Sequence, residues 1–115
     1  MPVVYVIASD WTMRTAVRAE LREMGVEALG MDSADDVGRA VASGGLPNLV
    51  VLEATAELLG NSRIQDLVQH VPAILIASRT EEVSLPDGAA VLYRPVSVAE
   101  IVTRVSQLLA RDDAA

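Results

Sequence analysis

Short apolar segments alternate along the chain with segments that are helical or could be. Five of them have the length of a strand, namely Val3–Ala8, Glu27–Met31, Leu49–Leu52, Ala73–Ala77 and Ala89–Tyr93. Three of the five are apolar on both faces, which is typical of parallel strands that are covered on both sides. Because strands and helices alternate, right-handed crossovers are expected. The pattern therefore predicts an α/β fold with a doubly wound parallel sheet.

Apolar stripes with helical spacing mark the first and last helices. The stripes consist of Met13, Val17, Leu21 and Met24 in the first helix and of Ile101, Val105 and Leu108 in the last. The first stripe stops before Gly25, a residue type that ends many helices because it adopts positive φ without strain. We therefore predict that each helix buries one face against the sheet.

Capping residues and turn formers set the remaining boundaries. Ser33–Asp36 and Ser97–Glu100 indicate helix N-termini, the second being a capping box in which both side chains bind free backbone amides. Another helix is predicted over Ser62–His70. The segment Arg79–Gly88 contains Pro86 and an Asp-Gly turn signal, so it leaves room for little more than one helical turn.

Composition limits the chain to one domain and to few kinds of chemistry. Its 115 residues are 51% hydrophobic, enough for one core, and we assign residues 1–111 to the domain and 112–115 to a frayed tail. The net charge of −7 argues against a nucleic-acid surface, because such surfaces need clustered basic residues. The lack of cysteine and the single histidine exclude disulfides, thiolate catalysis and a histidine metal cluster. No apolar run reaches membrane-spanning length, so we expect a cytoplasmic protein without a membrane partner.

Ligand sites of doubly wound sheets lie beyond the carboxyl ends of the strands. The residues that the pattern places along this edge are Ala8, Ser9, Asp10, Glu53, Ala77, Ser78 and Arg94. Glu53 is a carboxylate at the end of an otherwise apolar run, and Arg94 is a cation that follows the last strand. The sequence therefore predicts that an acid and a guanidinium share the edge at which such folds bind ligands.

Four segments of the chain resemble the receiver domain of two-component response regulators. They are "REMG" (Arg22–Gly25), "PNLVVLE" (Pro47–Glu53), "VPAILIAS" (Val71–Ser78) and "AVLYRPVSVAEIVTRVSQLL" (Ala90–Leu109). Their order and coverage extend the resemblance over essentially the whole chain. It implies a flavodoxin-like (CheY-like) five-stranded parallel sheet of order 2-1-3-4-5, with a cis peptide between Arg94 and Pro95. The short spacing from Ala77 to Arg94 further predicts that the fourth helix of the fold is shortened or missing.

The resemblance also implies which positions of this chain correspond to the phosphoryl-transfer residues of receivers. The acidic pair that holds magnesium in receivers corresponds to Ala8 and Ser9, neither of which is charged, with Asp10 one residue further on. Asp10 either joins the site as a single acid or caps the first helix. The phosphoacceptor aspartate corresponds to Glu53, whose extra methylene displaces the nucleophilic oxygen. Magnesium is therefore not expected to bind tightly, and no cofactor is predicted.

The remaining receiver positions also depart from the family pattern. The hydroxyl residue after the fourth strand corresponds to Ala77, or to Ser78 with a shift of one residue. The lysine is replaced by Arg94, which precedes Pro95 and presents a planar fork instead of a point charge. The aromatic switch residue corresponds to Val91. The signalling step of receivers, in which the hydroxyl residue is coupled to a rotamer change of the aromatic residue, is therefore not expected.

Several side chains near this edge allow more than one interpretation. Glu53 either mimics a phosphorylated aspartate by pairing with Arg94 or is an acid at a strand end that is solvated or locally bonded. Trp11 either fills the vacated pocket, anchors a partner or packs on its own helix. Arg14 and Arg18 lie on a face that is either solvated or docks an acidic partner.

The sequence thus predicts an atypical receiver domain that lacks phosphoryl transfer and is not an enzyme. It would act as a protein-protein interaction module in bacterial signal transduction, with protein partners and no nucleic acid. A homodimer, if one forms, is not expected to use the usual fourth-helix face. The alternative is a domain that binds a small anion or nucleotide at the same sheet edge, through Arg94 and backbone amides.

Overall fold

All five predicted strands are present and form one parallel sheet. The structure, a computed structural model, describes residues 1–114, with side chains described through Arg111. The strands are β1 Val3–Ile7, β2 Glu27–Met31, β3 Leu49–Glu53, β4 Ala73–Ala77 and β5 Ala90–Tyr93. Their order in the sheet is β2-β1-β3-β4-β5, and every neighbouring pair is parallel. The predicted fold class and strand order are therefore confirmed.

Helices cover both faces of the sheet. They are α1 Trp11–Glu23, α2 Ala34–Gly44, α3 Ala56–Leu59, α4 Ser62–His70 and α5 Val98–Ala114. None of the helices within residues 1–114 is long and apolar enough to cross a membrane. The predicted frayed tail, 112–115, lies outside the residues whose side chains are described, so it stays a prediction.

The sheet separates two apolar cores because strand side chains alternate between its faces. One core lies under α1 and α5, and its fully buried members include Val17, Leu21 and Ile101. The other lies under α2, α3 and α4 and includes Leu52, Ile64 and Leu75. Both predicted helical stripes therefore face the sheet, except at Met24, which follows α1 and is 49% exposed. The two central strands β3 and β4 are buried along their whole length, as expected for strands covered on both sides.

Helix α1 begins and ends where the sequence predicts. The Asp10 side chain accepts a hydrogen bond from the backbone amide of Met13 at 3.1 Å, which satisfies one of the free amides at the helix N-terminus. Gly25 follows the helix with φ of +84°, a conformation in which a side chain would be strained. Helix α1 therefore leaves the sheet edge with Asp10 fixed in place beside it.

The connection between β4 and β5 contains no helix within the described residues. Leu85 packs against the core on the α4 side and partly covers the sheet where a helix would otherwise lie. Pro86 and the turn at Gly88, whose φ is +82°, keep this connection irregular. Receivers have their fourth helix between β4 and β5, a different element from α4 of this chain. The prediction that this helix is shortened or missing is therefore confirmed.

Short helix α3 is the one element that the sequence pattern did not predict. Thr55 caps it by accepting a hydrogen bond from the Leu58 amide at 3.2 Å, and Leu58 is buried in the core. A threonine two residues after the third strand is the signal that was available. Four residues are too few to show a helical repeat, so periodicity alone does not reveal the element.

Candidate functional site

Glu53 ends the central strand β3 and is the only charged residue among the buried ones in the described chain, with 9% of its surface exposed. Its register partner on β4 is Ile76, and β1 pairs with β3 on the other side. The carboxylate therefore sits in the middle of the carboxyl edge of the sheet. A carboxylate at this depth has to be matched by hydrogen-bond donors or a positive charge.

Ser9 donates hydrogen bonds to one oxygen of this carboxylate. It follows β1, so the neighbouring strand places it beside Glu53. Its backbone amide donates to Glu53 Oε1 at 3.2 Å, and its hydroxyl donates to the same oxygen at 2.6 Å. Ser9 was predicted only as a degenerate position of the acidic pair. Its role as a donor was missed, although a hydroxyl one strand away from a buried acid was the signal for it.

Arg94 donates a hydrogen bond to the other oxygen of Glu53. Its Nη2 donates to Glu53 Oε2 at 2.9 Å, so the predicted ion pair is present. The Arg94 amide donates to the Ala77 carbonyl at 2.8 Å, which continues the β4–β5 ladder and fixes the arginine at the sheet edge. The Arg94–Pro95 peptide is cis, as the resemblance implies. Both carboxylate oxygens of Glu53 are thus held by partners from this chain.

Asp10 joins the site through the same guanidinium. Its Oδ2 lies 3.5 Å from Arg94 Nη1, while its Oδ1 accepts from the Met13 amide. The sequence left two roles open for Asp10, a helix cap or a single acid of the degenerate metal site; the structure shows the helix cap, with the other carboxylate oxygen beside Arg94. Arg94 therefore bridges two carboxylates that belong to different strand ends.

This donor set does not fit a magnesium ion. A hard cation needs several oxygen ligands, which carboxylates supply most strongly. Here the guanidinium of Arg94 lies on both Glu53 and Asp10, and the second oxygen of Glu53 is taken by Ser9. Among the described residues no group of three or more histidine, cysteine, aspartate or glutamate side chains could hold a metal ion. We therefore assign no metal-dependent step to this site.

The residues at the positions predicted for the hydroxyl and the aromatic switch form no described side-chain contact with the Glu53 carboxylate, whose described partners are Ser9 and Arg94. Ala77 is buried at the end of β4, and the hydroxyl of the half-exposed Ser78 hydrogen-bonds to that of Thr80 at 2.8 Å. Val91 packs against the core on the α4 side. The aromatic residue on this strand is Tyr93, which is 40% exposed and stacks with the guanidinium of Arg79 at 4.5 Å from the ring centre.

Trp11 does not fill the site. It begins α1 and is 67% exposed, so the interpretation in which it fills the pocket is wrong, while the partner anchor and the packing on its own helix stay predictions. Replacing Trp11 with alanine should change the free energy of unfolding by less than about 0.5 kcal/mol, because little apolar area is buried there. Urea denaturation measures this change. The fluorescence of this single tryptophan should also be readily quenched by acrylamide, and a protected indole would contradict the expected exposure.

Arg14 and Arg18 do not form a solvated face. The Nη1 of Arg14 donates to the Ala8 carbonyl at 2.6 Å, and the Nε of Arg18 donates to the Ala28 carbonyl at 3.3 Å. Both residues are half-buried. They therefore tie α1 to the first two strands with one donor atom each, and docking of a partner by these residues stays a prediction. Sequence spacing alone did not reveal this, because it gives the face of a helix but not the reach of a long side chain.

Solved structures with the same arrangement of strands and helices are receiver domains. A CheY-like response regulator receiver domain protein from Methanospirillum hungatei JF-1 superimposes with a TM-score of 0.77 at 13% identity, and the match covers 98% of each chain. A response regulator receiver protein from Burkholderia phymatum matches with a TM-score of 0.73 at 23% identity over 96% of each chain. The chain has the receiver-domain fold. No protein-family model and no curated protein matches it.

A third receiver structure shows the same likeness. The response regulator receiver domain protein from Clostridium thermocellum covers 99% of this chain and 98% of its own, with a TM-score of 0.73 and 17% identity. The receiver fold therefore accounts for the chain from end to end. In this chain, the carboxyl edge of the sheet is organised around the bridge that Arg94 makes between Glu53 and Asp10.

Proposed function

We propose that this receiver-fold chain does not transfer phosphoryl groups and acts as a protein-interaction module in signal transduction. The receiver fold supports a signalling role, since the solved structures that share it are described as response regulator receivers. A receiver-fold chain without acceptor chemistry is left with its surfaces as its output. Function is argued here from the site as well as from the fold, because a fold by itself hosts many activities.

The observation that carries the proposal is that both oxygens of the Glu53 carboxylate already accept hydrogen bonds from residues of this chain. In-line attack on a phosphoryl group needs a free, well-positioned carboxylate oxygen and a cation to offset the charge on the phosphate. Both oxygens of Glu53 are bound within the chain, and among the described side chains, those of residues 1–111, the only cation in contact with it is the guanidinium of Arg94. The contacts support a permanently paired acid that holds the edge in one conformation.

The alternative of an anion or nucleotide site is less well supported. Its main cation would be Arg94, which already contacts two carboxylates. A phosphate arriving at this edge would have to displace Glu53 and Asp10 and would meet their negative charges. We therefore favour the interaction module over ligand binding.

Incubation with magnesium and acetyl phosphate should leave the mass of the protein unchanged. Beryllofluoride with magnesium should likewise give no saturable change in tryptophan fluorescence or in the amide spectrum. An active receiver domain treated in parallel shows that the reagents work. A mass increase equal to one phosphoryl group, lost when Glu53 is replaced with glutamine, would overturn the proposal.

A further inference from the structure

Asp87 and Gly88 form the only dipeptide of the sequence in which an aspartate or an asparagine precedes a glycine. They lie at the end of the β4–β5 connection, one residue before β5 begins. Both are exposed. A glycine presents its backbone nitrogen without a β-carbon beside it, so the side chain of the preceding residue can approach this nitrogen closely. The pair therefore places a carboxyl group next to an accessible amide.

Neither of these two groups is engaged elsewhere in the described chain. Within residues 1–111, the Asp87 carboxylate takes part in no hydrogen bond or ion pair. Within residues 1–114, the Gly88 amide donates to no acceptor, since the described hydrogen bonds of this connection involve Ser78, Thr80 and Glu81 near its other end. Apart from the chain neighbours, no heavy atom lies within 4 Å of the position that a Cβ on Gly88 would take. The carboxyl group and the amide are therefore free to approach each other.

Two similar dipeptides of the chain are held by helix caps. Asn61 precedes Ser62, but its side-chain oxygen accepts hydrogen bonds from two amides in the first turn of α4, at 2.9 and 3.4 Å. Asp32 precedes Ser33, whose hydroxyl caps α2 by accepting from a backbone amide at 3.2 Å. These caps fix the side chain in the first case and the following residue in the second. The exposed pair before β5 has no such restraint within the described residues.

We infer that Asp87 rearranges spontaneously to isoaspartate. The Gly88 nitrogen attacks the carbon of the protonated Asp87 carboxyl group, a carbon–nitrogen bond forms, and the amide proton and the carboxyl hydroxyl leave as water. The product is a five-membered cyclic imide, which water then opens at one of its two carbonyls. Opening at the side-chain carbonyl restores aspartate. Opening at the backbone carbonyl leaves isoaspartate, in which the main chain runs through the former side chain.

The rearrangement needs no co-reactant besides water and lengthens the main chain by one carbon directly before β5. Ala89 packs against the core on the α4 side, and Ala90 packs against the core under α1 and α5. We expect the backbone amide signals of these two residues to shift in the rearranged protein. The Arg94 amide, which bonds to the Ala77 carbonyl at the far end of the strand, should keep its signal. This inference is independent of the proposed interaction role.

The test stores the full chain in neutral buffer below its melting temperature and follows its aspartates and asparagines with time. Peptide mapping by mass spectrometry with electron-transfer fragmentation distinguishes isoaspartate from aspartate. A protein isoaspartyl methyltransferase with labelled S-adenosylmethionine counts the modified sites independently. Within residues 1–111, we expect isoaspartate to accumulate fastest at Asp87.

Three variants separate this site from the rest of the chain. Gly88→Ala should slow the reaction several-fold, because a β-carbon hinders the approach to the nitrogen. Asp87→Glu should abolish it, because glutamate would have to close a less favourable six-membered ring. Asp32→Glu is the matched control and should leave the rate at Asp87 unchanged. Melting temperatures check that all three variants are folded.

The same measurement on the chain unfolded in guanidinium chloride tests the role of the structure. Asp32 and Asn61 should convert several-fold faster there than in the folded protein, because their caps are lost. The rate at Asp87 should change little. Conversion of Asp87 in the unfolded chain but not in the folded protein would overturn the inference, and so would methyl transfer that is undiminished in Asp87→Glu.

Discussion

Replacing Arg94 with methionine should lower the free energy of unfolding by about 2 kcal/mol. The Glu53 side chain is only 11% exposed, and without the guanidinium it would keep a buried negative charge whose remaining described donor is Ser9. Asp10 would then face Glu53 without an intervening cation. The expected loss is smaller than that for a fully buried pair, because the Arg94 side chain is 39% exposed and water screens the charges. Urea denaturation gives the value.

The Glu53→Gln background separates the ion pair from the packing of the arginine stem. In that background Arg94→Met should lower the free energy of unfolding by only about 0.5 kcal/mol. The buried charge that Arg94 neutralises is then absent. Arg22→Met controls for the loss of an exposed arginine on a helix and should change stability by less than about 0.5 kcal/mol. Equal costs of Arg94→Met in both backgrounds would show that Glu53 and Arg94 are not energetically coupled.

Replacing Ile101 with alanine should have a larger effect, about 3 kcal/mol of destabilisation. Ile101 has no exposed surface and packs in the core between α5 and the sheet. The substitution removes buried methyl and methylene groups and leaves a cavity that the rigid central strands cannot close. Thermal or urea denaturation measures the change.

Thr103 provides the matched control on the same helix. It is exposed, so Thr103→Ala should change stability by less than about 0.5 kcal/mol, and alanine is the better helix former. If Ile101→Ala costs less than about 1 kcal/mol, α5 is not held by the packing described here. The contrast between the two positions therefore tests the predicted apolar stripe of the last helix.

Much of the fold could be predicted because burial leaves a strong pattern in the sequence. Strands β3 and β4 are continuous apolar runs, and they are the strands that the sheet buries completely. The stripe through Val17 and Leu21 gave the buried face of α1. Strand ends were less certain, since Glu53 belongs to β3 although its charge breaks the apolar run.

The candidate site was predictable in part. Strand topology brings Glu53 and Arg94 to one edge, so their ion pair follows once the parallel sheet is assumed. The contributions of Ser9 and Asp10 were harder to foresee, because they depend on rotamers and on a side chain that bonds in two directions at once. Arg14 and Arg18 were misjudged for a related reason: helix periodicity places them on a polar face but does not show that they bend back to carbonyls of the sheet.

The guanidinium that Arg18 places on the Ala28 carbonyl has a consequence for aggregation. A protein whose sheet has unpaired edge strands on both sides can polymerise into fibrils, since every molecule that joins presents a new edge to the next one. Here the chain's own arginine already bonds to the Ala28 carbonyl at the β2 edge, which lowers the capacity of that edge to pair with a further strand. In the language of polymer chemistry, the arginine acts as a partial chain terminator at this edge of the sheet.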